Sequence, residues 1–179
     1  MSSGNRILEQ VLILRCQMGD MAALAELIEQ YERPLRYFII RLLGDNEMSE
    51  DIFQDTWLTV IRRIYALRDS EAFSTWLYRI ARNKVYQQLR RKKLLSKIEE
   101  NARMPNENES ENDIFSLEDV TKVHRCLKKL RHEHREVLML RFLEQMPYQQ
   151  IAQVVNCNLG TVRSRIYYAK LALRKEMEK

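Results

Sequence analysis

A chain of 179 residues, 45% of them hydrophobic, is one ordinary domain or two small ones, with enough apolar side chains for a core. Four glycines and three prolines are too few turn residues for an all-β fold, so a largely helical protein is expected. The net charge of +5 is modest, and three scattered cysteines (Cys16, Cys126, Cys157) with no CxxC pair argue against a disulfide framework or zinc knuckle and suit a reducing cytoplasm.

At the N-terminus, Glu9, Gln10 and Arg15 interrupt the apolar run that a signal peptide needs. No apolar stretch approaches the ~18 residues of a membrane span, so direct membrane insertion is not expected. Gly19-Asp20 reads as a stop followed by an N-cap, opening a helix over 21–43. Its apolar positions, Leu24, Leu27, Ile28, Tyr31, Leu35, Phe38, Ile39 and Leu42, recur at three- and four-residue steps. Pro34 is expected to kink it, because proline removes a helical hydrogen bond. Gly44-Asp45 marks the next break.

A second helix is expected over 48–65, burying Ile52, Phe53, Leu58, Val60, Ile61 and Ile64. After a short connector over 66–70, Ser70 is the candidate N-cap of a long helix over 71–95, with Phe73, Trp76, Leu77, Ile80, Ala81, Val85 and Leu89 inward. Composition then shifts. Residues 96–116 hold Pro105, four Asn and many Glu, and read as a flexible acidic linker. Ser116 to Asp119 has capping-box spacing, with Asp in place of Glu or Gln. Helices over 117–130, 132–142, 148–155 and 159–177 follow. The expectation is therefore an all-α chain of two small helical domains, 1–95 and 117–179, joined by a linker over 96–116.

Charge is segregated along this plan. Residues 45–55 carry five acids and no base, and residues 79–97 carry eight bases and no acid. Residues 96–119 carry eight acids and two bases, so the remainder of the chain holds +5 − (−6) = +11. Segregation of this kind suggests two partners, one of them polyanionic.

Residues 147–166 read as helix, tight turn, helix. Ile151, Ala152 and Val155 face the core from the first, and Val162, Ile166, Ala169 and Leu173 from the second. Asn156 suits a left-handed turn residue. Subtracting the core leaves Thr161, Arg163, Ser164, Tyr167, Tyr168 and Lys170 outward, and residues 159–175 carry five bases, Arg165 among them, and no acid. A recognition helix needs this combination: its first turns reach base edges while flanking bases hold phosphates. In the central helix Arg79, Arg82, Asn83 and Tyr86 share one side, with Arg90 beyond them. Bases there suit phosphates, and aromatics and Asn suit unstacked bases. Trp76 reads as core; Tyr86 is open between core and stacking. Asp51, Gln54 and Asp55, at i, i+3 and i+4, form one polar patch for docking on a basic protein surface.

The blocks GDxxAxxxLxxxY from Gly19, RLLGD from Arg41, EDxxQDxW from Glu50 and FxxWLYRIARN from Phe73 resemble region 2 of extracytoplasmic-function sigma factors. LRxxxREVLxLR from Leu130 and GTVRSR from Gly160 resemble region 4 of the same family. The resemblance implies a non-enzymatic adaptor, without cofactor or metal, that binds bacterial core RNA polymerase through its β′ and β subunits and directs it to promoters. It implies that Asp51, Gln54 and Asp55 contact the β′ clamp helices. The 66–73 connector and the helix bearing Arg79, Arg82, Asn83, Tyr86 and Arg90 would capture and melt the minus-ten element. Thr161, Arg163, Ser164, Arg165, Tyr167, Tyr168 and Lys170 would meet the minus-thirty-five element. Members are typically held inactive by an anti-sigma factor. Asn156 stands where the family's turn usually has Gly, and Tyr168 where a basic residue is common.

Two other readings compete. A stand-alone helix-turn-helix regulator explains the C-terminal half but neither the central basic helix nor the acidic patch. A metalloenzyme would draw on His124, Cys126, His132 and His134, but HxH on a helix sets its two rings about 200° apart, a poor chelate.

Overall fold

The computed structural model describes residues 3–99 and 118–178, and every regular element within them is helical. α1 (Ser3–Gln17) is an element that periodicity left out. Ile13 and Cys16 are buried, whereas Ile7, Leu8, Val11 and Leu14 are exposed. Apolar residues on both faces blur the helical signal. Polar contacts fasten the helix as well: the Tyr31 hydroxyl donates to Glu9, and Gln17 Nε2 donates to the carbonyls of Ile64 and Leu67 at 2.9 and 2.7 Å.

α2 (Met21–Leu43) starts as expected, with the Asp20 carboxylate accepting from the Ala22 and Ala23 N–H groups at 2.9 and 3.1 Å. It stays one helix through Pro34 and buries Leu24, Leu27, Tyr31, Leu35, Phe38, Ile39 and Leu42. Gly44 ends it in the left-handed conformation, φ 75°, donating to the Ile40 carbonyl at 2.8 Å.

α3 (Asn46–Arg63) begins two residues earlier than expected, because Asp45 caps it by accepting from Met48 N–H at 3.2 Å. The chain tightens to a 3-10 turn at Ile64–Ala66. Ile52, Phe53, Val60 and Ile64 are buried as expected, but Leu58 and Ile61 are 49% and 41% exposed. The buried stripe runs instead through Ser49, Thr56 and Trp57. Those polar and aromatic members are what an apolar count overlooks.

Asp69, rather than Ser70, caps the next segment, accepting from Glu71 N–H at 2.9 Å; Ser70–Ala72 is a 3-10 turn. α4 (Phe73–Glu99) therefore starts two residues late, and it continues past the expected end, so residues 96–99 are helical rather than linker. The rest of the expected linker and the Ser116 capping box lie outside the described residues. Phe73, Leu77, Ala81 and Val85 are buried as expected, while Trp76, Ile80 and Leu89 are only partly so. Tyr78, unanticipated, is fully buried and packs edge-on against Phe38 with ring centroids 5.1 Å apart.

The second domain holds α5 (Glu118–Lys128), α6 (His132–Leu138), α7 (Tyr148–Val155) and α8 (Leu159–Met177). The expected continuous helix over 132–142 is divided, because Met139–Leu143 widens into a π turn. The turn keeps Met139 and Leu140 buried and leaves Phe142 and Leu143 exposed. Ile151 and Val155 are core as expected, with Val154 added and Ala152 and Leu173 only partly buried. Asn156 ends α7 in the left-handed region, φ 52° and ψ 54°. Asn158 caps α8, its Oδ1 accepting from Thr161 N–H at 2.7 Å.

α2, α3 and α4 pack together with α1 against α2; α6, α7 and α8 pack together with α5 against α8. The domains also meet: α7 lies on α4 and α6 touches α2, so the apolar core is continuous between them. No described helix is long and apolar enough to cross a membrane.

The left-handed residue generates a test. Asn tolerates this conformation, Gly adopts it freely, and a Cβ without a compensating amide is disfavoured by about 1 kcal/mol. Asn156→Ala should lower the urea midpoint of unfolding, while Asn156→Gly should leave it near that of the unaltered chain.

Candidate nucleic-acid interface

The second helix of the helix-turn-helix is divided cleanly by burial. Val162, Ile166 and Ala169 are core; Arg163, Ser164, Tyr167, Tyr168 and Lys170 are exposed. Arg165 and Thr161 are half-buried. Thr161 is drawn into the cap, its hydroxyl donating to Asn158 Oδ1 at 2.8 Å, and Ser164 Oγ donates to the Thr161 carbonyl at 3.0 Å. Tyr167 and Tyr168 meet edge-on, centroids 5.3 Å apart, so two aromatic rings stand beside the exposed bases.

The sequence-predicted residues of α4 are split between solvent and the domain contact. Arg79, Asn83 and Arg90 are exposed. Arg82 is 16% exposed; its Nε donates to Glu136 Oε1 at 2.6 Å, and its guanidinium sits 4.4 Å from the centre of the Tyr86 ring. The Tyr86 hydroxyl donates to Glu136 Oε2 at 3.2 Å. Glu136, on α6, is 0% exposed. Burial, reinforced by the Glu136 charge, pushes the Tyr86 hydroxyl up to about 12. Burial also raises the Glu136 carboxyl, although Arg82 opposes that shift. A cleft of about 470 Å³ opens beside this cluster, lined by Arg82, Asn83, Tyr86, Gln87, Arg90 and Arg91.

Neighbouring residues hold Glu136 in place. Arg135 is buried and donates to the Leu127 and Leu130 carbonyls at 2.9 and 3.1 Å, to the Lys128 carbonyl, and across to the Arg41 carbonyl on α2 at 2.6 Å. Arg41 in turn approaches His124 Nδ1 at 3.0 Å. Beyond the π turn, Glu144 faces Tyr78 of the first domain; burial raises its carboxyl, with the Tyr78 hydroxyl acting the other way. Arg135 and Glu136 enter the sequence pattern only as letters of the region-4 block, with no role attached, and Glu144 does not enter it at all. Arg135 and Glu136 close a polar stretch over 131–136 just ahead of the apolar run 137–140, and nothing in that pattern marks them as buried.

Asp51, Gln54 and Asp55 are all exposed on α3. Gln54 donates to Glu50 Oε1 at 3.1 Å, and Lys84 on α4 binds Asp55 Oδ2 at 2.7 Å. The patch is thus pinned to the basic helix at one corner. Among the described residues, no group of three or more His, Cys, Asp or Glu side chains is arranged to hold a metal ion.

Comparison with known proteins agrees with this layout. Residues 27–94 match the family described as Sigma-70 region 2, and residues 121–173 the family described as Sigma-70, region 4. The chain is 32% identical to the RNA polymerase sigma-H factor of Pseudomonas aeruginosa, across 95% of this chain and 94% of that protein. The chain belongs to the extracytoplasmic-function sigma factors of the sigma-70 family. It is also 28% identical to the ECF RNA polymerase sigma factor SigW of Bacillus subtilis, across 92% of this chain and 94% of that one. The same fold occurs in the sigma factor RpoE crystallised with the anti-sigma factor NepR from Bartonella quintana. That match has a TM-score of 0.74 at 23% identity, across 86% of this chain and 96% of that chain. CnrH in complex with the cytosolic domain of CnrY matches with a TM-score of 0.69 at 21% identity, across 96% and 97%. As a sigma factor the protein is not an enzyme: it directs core RNA polymerase to promoters.

Glu136 sets a pH dependence for this sigma factor. Its carboxyl is raised above the ordinary value of 4.5, so above that pH the folded chain holds more protons than the unfolded one. Its contribution to stability therefore falls as pH climbs from 4.5 to the raised value, and levels off beyond it. Glu136→Gln has no proton to lose. Its urea midpoint should decline less steeply than the wild-type midpoint across that window.

Proposed function

We propose that three surfaces of this sigma factor divide the work of initiation. Exposed Arg163, Ser164, Tyr167, Tyr168 and Lys170, with Arg165 and the capped Thr161, read the minus-thirty-five element. Arg79, Arg82, Asn83, Tyr86 and Arg90 capture the melted minus-ten strand, bases on phosphates and aromatic faces on bases. Asp51, Gln54 and Asp55 dock on the β′ clamp helices of core polymerase, with further contacts to β. The observation that carries this reading is the burial pattern of α8. Val162, Ile166 and Ala169 go to the core, while a continuous basic and aromatic face is left in solvent on the second helix of a helix-turn-helix. The protein works in the cytoplasm.

An anti-sigma factor restrains it. RpoE, which shares the fold, was crystallised with the anti-sigma factor NepR, and CnrH, which also shares it, was solved in complex with the cytosolic domain of CnrY. This chain has an apolar groove of about 560 Å³ between α5, the π turn and α8, with Leu127, Phe142, Leu173 and Met177 among its walls.

Run-off transcription with core polymerase over a promoter library tests the whole reading; a stand-alone regulator would confer no promoter-specific initiation. Arg163→Ala should reduce discrimination between intact and scrambled minus-thirty-five elements by about 1–3 kcal/mol, the worth of a bidentate base contact. Its affinity for core enzyme should not change. The double variant Asp51→Lys, Asp55→Lys should lose core binding while keeping its helical circular dichroism, because both side chains are in solvent. Normal holoenzyme formation by that variant removes the docking role.

A further inference from the structure

Two donors that the minus-ten reading needs are already occupied. Arg82 Nε and the Tyr86 hydroxyl converge on the two oxygens of Glu136, at 2.6 and 3.2 Å. A guanidinium and a phenol around one anionic group form the arrangement that a backbone phosphate would receive at the same place. Glu136 comes from the other domain and is buried between them. α7, the first helix of the helix-turn-helix, lies along α4 in the same arrangement. We propose that Glu136 is an intramolecular latch: its carboxylate takes the place of a DNA phosphate on Arg82 and Tyr86, so that the closed chain withholds its minus-ten surface.

Three features make this a latch rather than a chance surface pair. The pair is desolvated, with Arg82 16% and Glu136 0% exposed, so it is little screened by solvent. The Arg82 guanidinium also sits on the Tyr86 ring at 4.4 Å, which takes the ring face away from a stacking base. And the domains also meet at other contacts, among them Arg135 on the Arg41 carbonyl and α7 on α4, so their closure does not rest on Glu136 alone. By contrast, Arg79, Asn83 and Arg90 remain open to solvent beside the cleft. They offer an entering strand a first foothold, from which a DNA phosphate displaces the Glu136 carboxylate and the domains part. DNA and closure are then mutually exclusive ligands of one site, and the affinity measured for DNA is the intrinsic affinity multiplied by the open fraction.

This inference rests on the reading of α4 as the minus-ten surface, and the experiment separates the two. The full chain and its Glu136→Ala variant are titrated, at one fixed salt concentration, into a fluorescein-labelled single-stranded oligonucleotide, followed by anisotropy. The variant should bind about tenfold more tightly, because it no longer competes for its own site. A second measurement leaves Glu136 intact. Nitroxide labels at the exposed positions Arg62 and Lys175 (Arg62→Cys, Lys175→Cys, with Cys157→Ser) report the distance between the domains by double electron–electron resonance. That distance should lengthen when saturating oligonucleotide is added, and this outcome supports the latch even where Glu136→Ala fails to fold. Equal affinities together with an unmoved distance overturn the latch and leave the minus-ten surface standing. Failure of both proteins to bind the oligonucleotide overturns the surface and the latch together.

Discussion

Two adjacent side chains on α6, Arg135 and Glu136, carry opposite charges into the interior, and much of the molecule is arranged to satisfy them. Isolated buried charges are strongly unfavourable, so each needs its full set of partners. Arg135 gathers the carbonyls that end α5 and reaches one near the end of α2. Helix C-termini are where backbone acceptors lack intrahelical donors and where a cation is favoured. Glu136, the next residue, points about 100° around the helix, toward α4. One turn of α6 thus takes its bearings from three other helices.

The two proposed nucleic-acid surfaces consequently stand in different states. α8 presents its basic and aromatic face outward, whereas α4 has part of its face turned into the domain contact. A recognition helix that stays exposed reads duplex DNA as a rigid body. A surface for unstacked bases has a different requirement, since exposed aromatic and cationic groups would otherwise gather any polyanion nearby. Keeping Arg82 and Tyr86 engaged with a carboxylate limits that. Lys84 on α4 also holds Asp55 of the acidic patch, which joins that patch to the basic helix at one carboxylate.

Most helices were legible from apolar spacing, and the turn at Asn156 from residue type, because each is a local property. The misreadings share a cause. Leu58 and Ile61 were placed inside by hydrophobicity alone, although the buried stripe includes Ser49 and Thr56, whose hydroxyls bond the preceding turn's carbonyls. α1 was missed because its outward face is as apolar as its inward one. Periodicity also gives no hint of which helix from one domain meets which from the other. The roles proposed for Arg82 and Tyr86 rest on α4 alone, but their engagement by Glu136 joins residues 54 and 50 positions apart in sequence. No local pattern contains that information, because Arg135 and Glu136 sit at the end of a polar stretch that reads as solvated surface.

The π turn at Met139–Leu143 has a consequence for how this region tolerates genetic change. Through it Leu140 faces the core, Phe142 and Leu143 face the solvent, and Glu144 faces Tyr78. The alternation depends on one surplus residue in the turn, since each residue rotates the helix by about 100°. Substitutions here leave that phase alone. Loss of a single codon would restore a regular helix and rotate everything downstream within the segment, carrying apolar side chains to one face and a carboxylate to another with scarcely any change in composition. Length, more than residue identity, is the quantity this bend encodes.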